Sequence, residues 1–309
     1  MHAISTATAL AQPSFQALQG VRILSLALNL PGPAALMRCR QMGAHCTKLE
    51  PIAVPGDTSA DPMRTYSTAA YAQLHEGITV LQANLKTEQG QALLQAQLAQ
   101  TDVLLTSFRP AALRKLGMDW QALHQQHPRL GMVRIFGSTD PHECEHAGHD
   151  LTYQAQAGLV QNGNMPPSLL ADMTGAIMAS EAVMQCLLLR AQSGSGHCLD
   201  VGLAQAAHWL AMPRDWRMTT PDGDVGGAHA GYRTYRCKDG WVALAALEPH
   251  FAQRICIASG ISINDANHMR NSSVHQAIGQ WMAGHTCTEI STMAGQSDIP
   301  LQVIPAQYK

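Results

Sequence analysis

Charge is scarce in this chain of 309 residues: 20 basic and 22 acidic side chains make up 14% of it, for a formal net charge of −2. No long basic run is present, which argues against nucleic acid or an anionic membrane as the main partner. No stretch of about eighteen uninterrupted apolar residues occurs, so no membrane span is expected. Residues 1–12 lack a basic leader and carry only a short, weakly apolar run, unlike a secretory signal. Eight cysteines are scattered without a single C-x-x-C. A disulfide framework or zinc ribbon is therefore not expected, and a reducing, cytoplasmic setting is. Missing too are G-x-G-x-x-G and the Walker A pattern, which disfavours a nicotinamide cofactor and a P-loop nucleotide site.

What is present is a globular composition, 46% apolar, in a chain long enough for two domains. Strand-like runs fall at 21–27 (VRILSLA), 45–49, 79–85, 102–108 and 130–136, with helical patterns at 34–42, 88–100, 111–116 and 120–126. Strands alternating with helices predict right-handed βαβ units and a mostly parallel sheet covered on both faces. Ligands on such sheets sit outside the carboxyl ends of the strands. A long apolar helix at 173–190 and a second at 203–212 follow. The polar stretch 213–227, with Pro221, Gly223, Gly226 and Gly227, reads as a linker. Beyond it, runs at 232–237 and 241–247 flank Lys238-Asp239-Gly240, a hairpin signal, before helical patterns at 249–258 and 276–283. The fold class is thus α/β: a Rossmann-like large domain over 1–212, a linker over 213–227 and a smaller α+β domain over 228–309.

Two clusters invite a chemical reading. Asp172 opens the long helix, where an Asp is an ordinary N-cap. The positive end of a helix also favours its anion, and a carboxylate held ionised there can accept a proton or act as a nucleophile. His142, Cys144 and His146 alternate, with His149 close by. A spacing of two suits neither common zinc pair and no second cluster is evident, so no metal is expected and the segment reads as a loop over a pocket.

Several segments, in order, resemble the family III CoA-transferases, the CaiB/BaiF family. They are Leu18-Gln19-Gly20-Val21-Arg22-Ile23-Leu24, Pro31-Gly32-Pro33, Gly43-Ala44, Lys48-Leu49-Glu50-Pro51 and Asn84-Leu85-Lys86 with Gly90. Phe108-Arg109-Pro110, His127-Pro128-Arg129-Leu130, Gly148-His149-Asp150, Ala171-Asp172 and Leu247-Glu248-Pro249-His250-Phe251 continue the series. Each motif alone is weak, but their order over nearly the whole chain is specific. The resemblance is nearest in motifs to the racemase branch of the family, whose members carry Gly-His-Asp where transferases usually carry Tyr in place of the His.

The resemblance implies a family III CoA-transferase fold and an interlocked homodimer, with the last residues returning toward the large domain. It implies an acyl-CoA substrate, with coenzyme A entering as part of that substrate and no covalently bound cofactor. Catalysis would rest on Asp172 and His149, with His146 in reserve and Glu248 of the other subunit orienting the imidazole. Asp150 is read as structural. Lys48, Arg109, Arg114 and Lys115 would meet the phosphates of CoA, and Phe108 and Leu116 would flank its adenine. The sequence departs from the family at 73–77 (QLHEG), where a basic stretch is usual, and at 137–141 (GSTDP). Three activities stay open: racemisation by 1,1-proton transfer at the α-carbon, CoA transfer through an aspartyl mixed anhydride, and a catalytically idle CoA-binding protein.

Overall fold

A computed structural model of the chain describes residues 16–262, 264 and 268–305. The N-terminal stretch 1–12 and the last residues, 306–309, lie outside the described residues. The chain divides into two compact units, Met1–Leu210 and Ala211–Lys309.

The first unit is built on six strands: β1 (Arg22–Ser25), β2 (His45–Glu50), β3 (Thr79–Gln82), β4 (Val103–Thr106), β5 (Gly131–Phe136) and β6 (Cys198–Gly202). All neighbours are parallel, in the order β3-β2-β1-β4-β5-β6. The order reverses between β1 and β4, and that switch point opens a crevice at their carboxyl ends. The helices of this unit are α1 (Pro31–Gln41), α2 (Pro62–Tyr66), α3 (Thr68–Leu74), α4 (Glu88–Leu98), α5 (Pro110–Lys115), α6 (Trp120–Gln126), α7 (Asp150–Gln156) and α8 (Leu170–Ser193), and α9 (Leu203–Asp215) begins in this unit and ends in the second.

The central strand β4 (VLLT) is buried throughout, as a parallel strand with both faces covered must be. One side of the sheet packs Leu24, Leu104 and Met132 against Leu94 and Leu98 of α4 and Leu123 of α6. On β5 lies α8, which also packs along α1. The buried residues of α8 include Ala176, Ala179 and Ala182, small side chains that allow close approach. Helix starts follow local chemistry. Pro31 and Pro110 stand at the first positions of α1 and α5, where the missing N–H costs nothing. Thr87 Oγ1 accepts from Gly90 N–H at 3.1 Å. A Cβ at Gly90 would lie 2.0 Å from the Asn84 carbonyl oxygen, so only glycine closes that turn.

The second unit holds β7 (Tyr232–Arg236), β8 (Trp241–Ala245) and β9 (Leu301–Ile304), with helices α10 (Pro249–Ala258), α11 (Ser272–Ala283) and α12 (Cys287–Gln296). The sheet is antiparallel in the order β7-β8-β9. Val242, Leu244, Ile255, Ile278, Met282 and Ile290 form its core.

Five short elements escape the sequence reading: α2, α3, α12, β6 and β9. Strand β6 (CLDVG) is a sheet edge and lacks a buried apolar run, being held in part by Asp200, which takes a bidentate pair from Arg134 at 2.7 and 2.8 Å. Strand β9 pairs Leu301 with Leu244 in the small sheet. The stretch 213–227 contains the end of α9, with Pro213 inside it, and a tight turn at Asp224–Gly226.

Lys48 on β2 is wholly buried with Glu50 and Asp61. Its ammonium lies 3.3 Å from Glu50 and is in direct contact with Asp61. Removing one member of such a group leaves an uncompensated charge in the interior. Asp61→Ala is expected to cost about 3 kcal/mol or more of unfolding free energy in urea titrations; a loss below about 1 kcal/mol would show that the ion pair matters little to the fold.

Candidate active site

The crevice at the switch point holds a cavity of about 260 Å³. Its walls come from the ends of three adjacent strands: Leu28 and Asn29 beyond β1, Ser107 and Arg109 beyond β4, and Phe136 and Gly137 where β5 ends. Helices α7 and α8 complete it with His149, Tyr153 and Asp172. All of these residues belong to the first unit.

Local packing explains how the polar groups arrive there. His149 is the N-cap residue of α7, its N–H donating to Thr152 Oγ1 at 3.1 Å. Tyr153 is clasped between two glycines. A Cβ at Gly137 would sit 2.4 Å from the Tyr153 hydroxyl, and one at Gly148 2.6 Å from its ring. Both positions must stay bare for the phenol to lie where it does. Asp172 is not the N-cap of α8, as its sequence position suggested. The helix starts three residues earlier, after Leu169, which offers no side-chain cap. The cap comes from another helix: Asp150 Oδ1 accepts from Asp172 N–H at 3.0 Å. Asp150 is buried, and its other oxygen is held by the Gln154 amide, which also donates to Ser168 O at 3.0 Å.

This arrangement reverses the expected electrostatics of Asp172. The positive helix end favours its anion, but burial first, and the neighbouring Asp150 second, push its carboxyl up from 3.8 to about 7. Desolvation of a charge and a neighbouring like charge outweigh a half-charge at a helix end. Tyr153 is also raised, chiefly by burial and then by Asp172, with Arg109 opposing. A carboxyl with a pKa near 7 in a cavity that an imidazole also lines suits proton transfer at physiological pH.

A second, larger cavity of about 640 Å³ lies beyond the ends of β2 and β3. Leu49, Pro51, Ile52, Leu85, Phe108 and Leu116 make it mostly apolar, and Lys86 stands at its wall. The chain after β4 serves both cavities, since Ser107 and Arg109 line the first and Phe108 the second.

Residues 18–306 match the profile described as CoA-transferase family III. The chain belongs to CoA-transferase family III. Among the curated relatives of this family III chain is human alpha-methylacyl-CoA racemase, 27% identical over 81% of the chain and 66% of the relative. Another is the succinyl-CoA–D-citramalate CoA-transferase of Chloroflexus aurantiacus, 26% identical over 92% of the chain and 77% of the relative. The chain thus spans about two thirds to three quarters of the length of these proteins. The crystal structure of a CAIB/BAIF family protein from Brucella suis superposes with a TM-score of 0.72 at 21% identity, covering 94% of the chain and 85% of that structure. It has the same fold.

The expected site residues of the family III chain separate into groups. His149, Asp172 and Arg109 come together in the first cavity, where His146 and Cys144 also lie. Phe108 and Leu116 meet in the second. Glu248 stands in the second unit as the N-cap residue of α10 and is exposed. Lys48 requires a correction. It lies within β2, not beyond it, and its ammonium is enclosed by Glu50, Asp61 and His75, so it has no open face for a phosphate. Arg114 is 3.7 Å from Glu145 on an exposed face, and Lys115 is exposed at the end of α5; neither lines either of these two cavities. Tyr153, Asn29 and Lys86 were missed as site residues, although Lys86 stood in the quoted Asn84-Leu85-Lys86 motif. The glycines that clasp Tyr153 are far apart in sequence, so no local signal marked it.

The raised Asp172 carboxyl has a consequence for stability. The native state holds this proton more tightly than the unfolded chain, so stability is full below pH 3.8 and is lost as pH rises toward 7. The loss is complete above that pH and amounts to roughly 4 kcal/mol. Asp172→Asn escapes it. Its stability advantage over the native chain is expected to grow by about 2–3 kcal/mol between about pH 5 and pH 8 in urea titrations. A pH-independent difference would contradict a buried, neutral-poised carboxyl.

Proposed function

We propose that the chain is an acyl-CoA enzyme that moves a proton at the α-carbon of a CoA thioester, as an α-methylacyl-CoA racemase or epimerase. The observation that carries this reading is the sharing of one cavity by His149 and Asp172, with the Asp172 carboxyl poised near 7. One group takes the α-proton from one face of the substrate while the other delivers a proton to the opposite face. Either can play either part, because a carboxyl near neutrality is both donor and acceptor. The enolate formed between the two transfers is stabilised by N–H groups at the helix starts around the cavity. The mostly apolar second cavity, with Phe108, Leu116 and Lys86, suits the adenine end of CoA. The thioester arm then crosses over residues 107–109 into the first.

Glu248 is assigned the task of orienting His149 from a second copy of the chain, in an interlocked homodimer. The exposed apolar side chains Ile177, Leu188 and Trp209 on α8 and α9 support self-association. Among the described residues no helix is long and apolar enough to cross a membrane.

A second reading is kept because relatives named as CoA-transferases match the chain at similar identity. There the Asp172 carboxylate attacks the thioester carbonyl, CoA leaves as its thiolate, and a mixed anhydride forms on Asp172. His149, which lines the same cavity as Asp172, has a part in proton transfer and none in this attack, which favours the proton-transfer reading.

Incubation with a 2-methylacyl-CoA in deuterated water separates the two. Incorporation of deuterium at the α-carbon is expected, with His149→Ala and Asp172→Asn each slowing it by at least about 100-fold. No incorporation, together with an acyl group trapped on Asp172 by hydroxylamine, would establish transfer instead. Neither signal, with CoA binding intact, would leave the chain a binding protein.

A further inference from the structure

Tyr153 lines the candidate catalytic cavity, yet neither reading of the chemistry gives it a part. The residue is buried, with 9% of its surface exposed, and two glycines fix where its ring lies. A Cβ at Gly137 would fall 2.4 Å from the Tyr153 hydroxyl oxygen, and one at Gly148 2.6 Å from the same atom. Both glycines line the cavity as well, so the hydroxyl is held at its wall.

That hydroxyl is unpaired and open. It has no hydrogen-bond partner among the described residues. Nor is it one of the unpaired side-chain atoms shut off from water, which belong to Asn29, His124 and Gln154. The open space beside Gly137 and Gly148 is the cavity, and the phenol oxygen therefore faces it.

Two charged neighbours in the same cavity act on the phenol. Burial raises its pKa above the ordinary 10, Asp172 adds to the rise and Arg109 opposes it. The group is thus an un-ionised O–H at physiological pH and can donate. It lies near enough to Asp172 to feel its charge, yet it is not hydrogen-bonded to that carboxyl. In a bound thioester the carbonyl oxygen stands two bonds from the α-carbon at which Asp172 would exchange a proton. Negative charge gathers on that oxygen as the α-proton leaves. A free donor close to Asp172, facing the same space, is placed to meet it. Because packing on both sides already fixes the ring, little reorganisation is needed when the charge appears.

We propose that Tyr153 is a further catalytic residue, its phenol O–H donating a hydrogen bond to the thioester oxygen as that oxygen becomes an enolate. This rests on the proton-transfer reading above and adds a side-chain donor to the backbone N–H groups invoked there. The phenol keeps its proton throughout, and the α-proton passes between substrate, His149 and Asp172 as before.

Tyr153→Phe removes the hydroxyl and keeps the ring between its glycines. Since the hydroxyl has no partner in the protein, the melting temperature is expected not to fall. With a 2-methylacyl-CoA in deuterated water, kcat for deuterium incorporation should drop by about 100-fold, the usual loss for one donor to an oxyanion, with KM little changed. The rate–pH profile should keep its position, because the phenol bonds the substrate and not Asp172. Incorporation of 3-fluorotyrosine at position 153 returns the donor and should return most of the lost kcat. A phenylalanine variant within about threefold of the native kcat would overturn the proposal, as would a loss confined to KM, which marks uniform binding. A profile displaced by about one pH unit would overturn it too, by marking a hydrogen bond to the Asp172 carboxylate instead. So would a fluorotyrosine enzyme as slow as the phenylalanine one. If the native chain incorporates no deuterium, the proton-transfer reading itself falls and this proposal with it. If the native chain and Tyr153→Phe incorporate it equally fast, this proposal alone falls.

Discussion

The bond from Asp172 N–H to the Asp150 carboxylate, at 3.0 Å, is the constraint on which the site depends. It joins the start of α8 to the start of α7 and so brings into one cavity two side chains 23 positions apart, His149 and Asp172. The same contact sets the chemistry. A helix end without a side-chain cap of its own needs an acceptor, and the acceptor supplied is a buried anion. That anion is the second cause, after burial, of the raised Asp172 carboxyl. Anchorage and proton affinity are therefore two results of one placement.

The sheet topology explains why the cavities lie where they do. Reversal of strand order between β1 and β4 sends their following helices to opposite faces, and the chain ends above them part to leave a crevice. Residues 107–109 form the divide, turning Ser107 and Arg109 to the reactive side and Phe108 to the apolar side.

The interior beneath β2 encloses part of a motif that the sequence shares with the family. Lys48-Leu49-Glu50-Pro51 matches the family pattern, yet Lys48 is spent inside the protein on Glu50, Asp61 and His75. His75 lies in the stretch 73–77, which lacks the basic residues usual in the family. Burial, and then Lys48, hold its pKa below the ordinary histidine value, so it adds no charge to an enclosure that already contains one cation and two carboxylates.

The sequence by itself determined the parallel sheet, since runs such as VLLT at 103–106 can only be buried on both faces. It also determined the hairpin at Lys238-Asp239-Gly240 and the order of family motifs. The edge strand β6 and the short helices α2 and α3 were not legible, because their residues are held by partners distant in the chain and not by periodicity. Nor could a one-dimensional reading tell that Lys48 is enclosed, that Asp172 is capped by Asp150, or that Gly137 and Gly148 clasp Tyr153. Helix-end electrostatics, which the sequence does encode, favoured an ionised Asp172; burial and a neighbouring anion, which it does not, decided otherwise. Propensity and pattern act over a few residues, whereas desolvation and charge act through space, so the elements could be read from the chain and the proton affinity of the site could not.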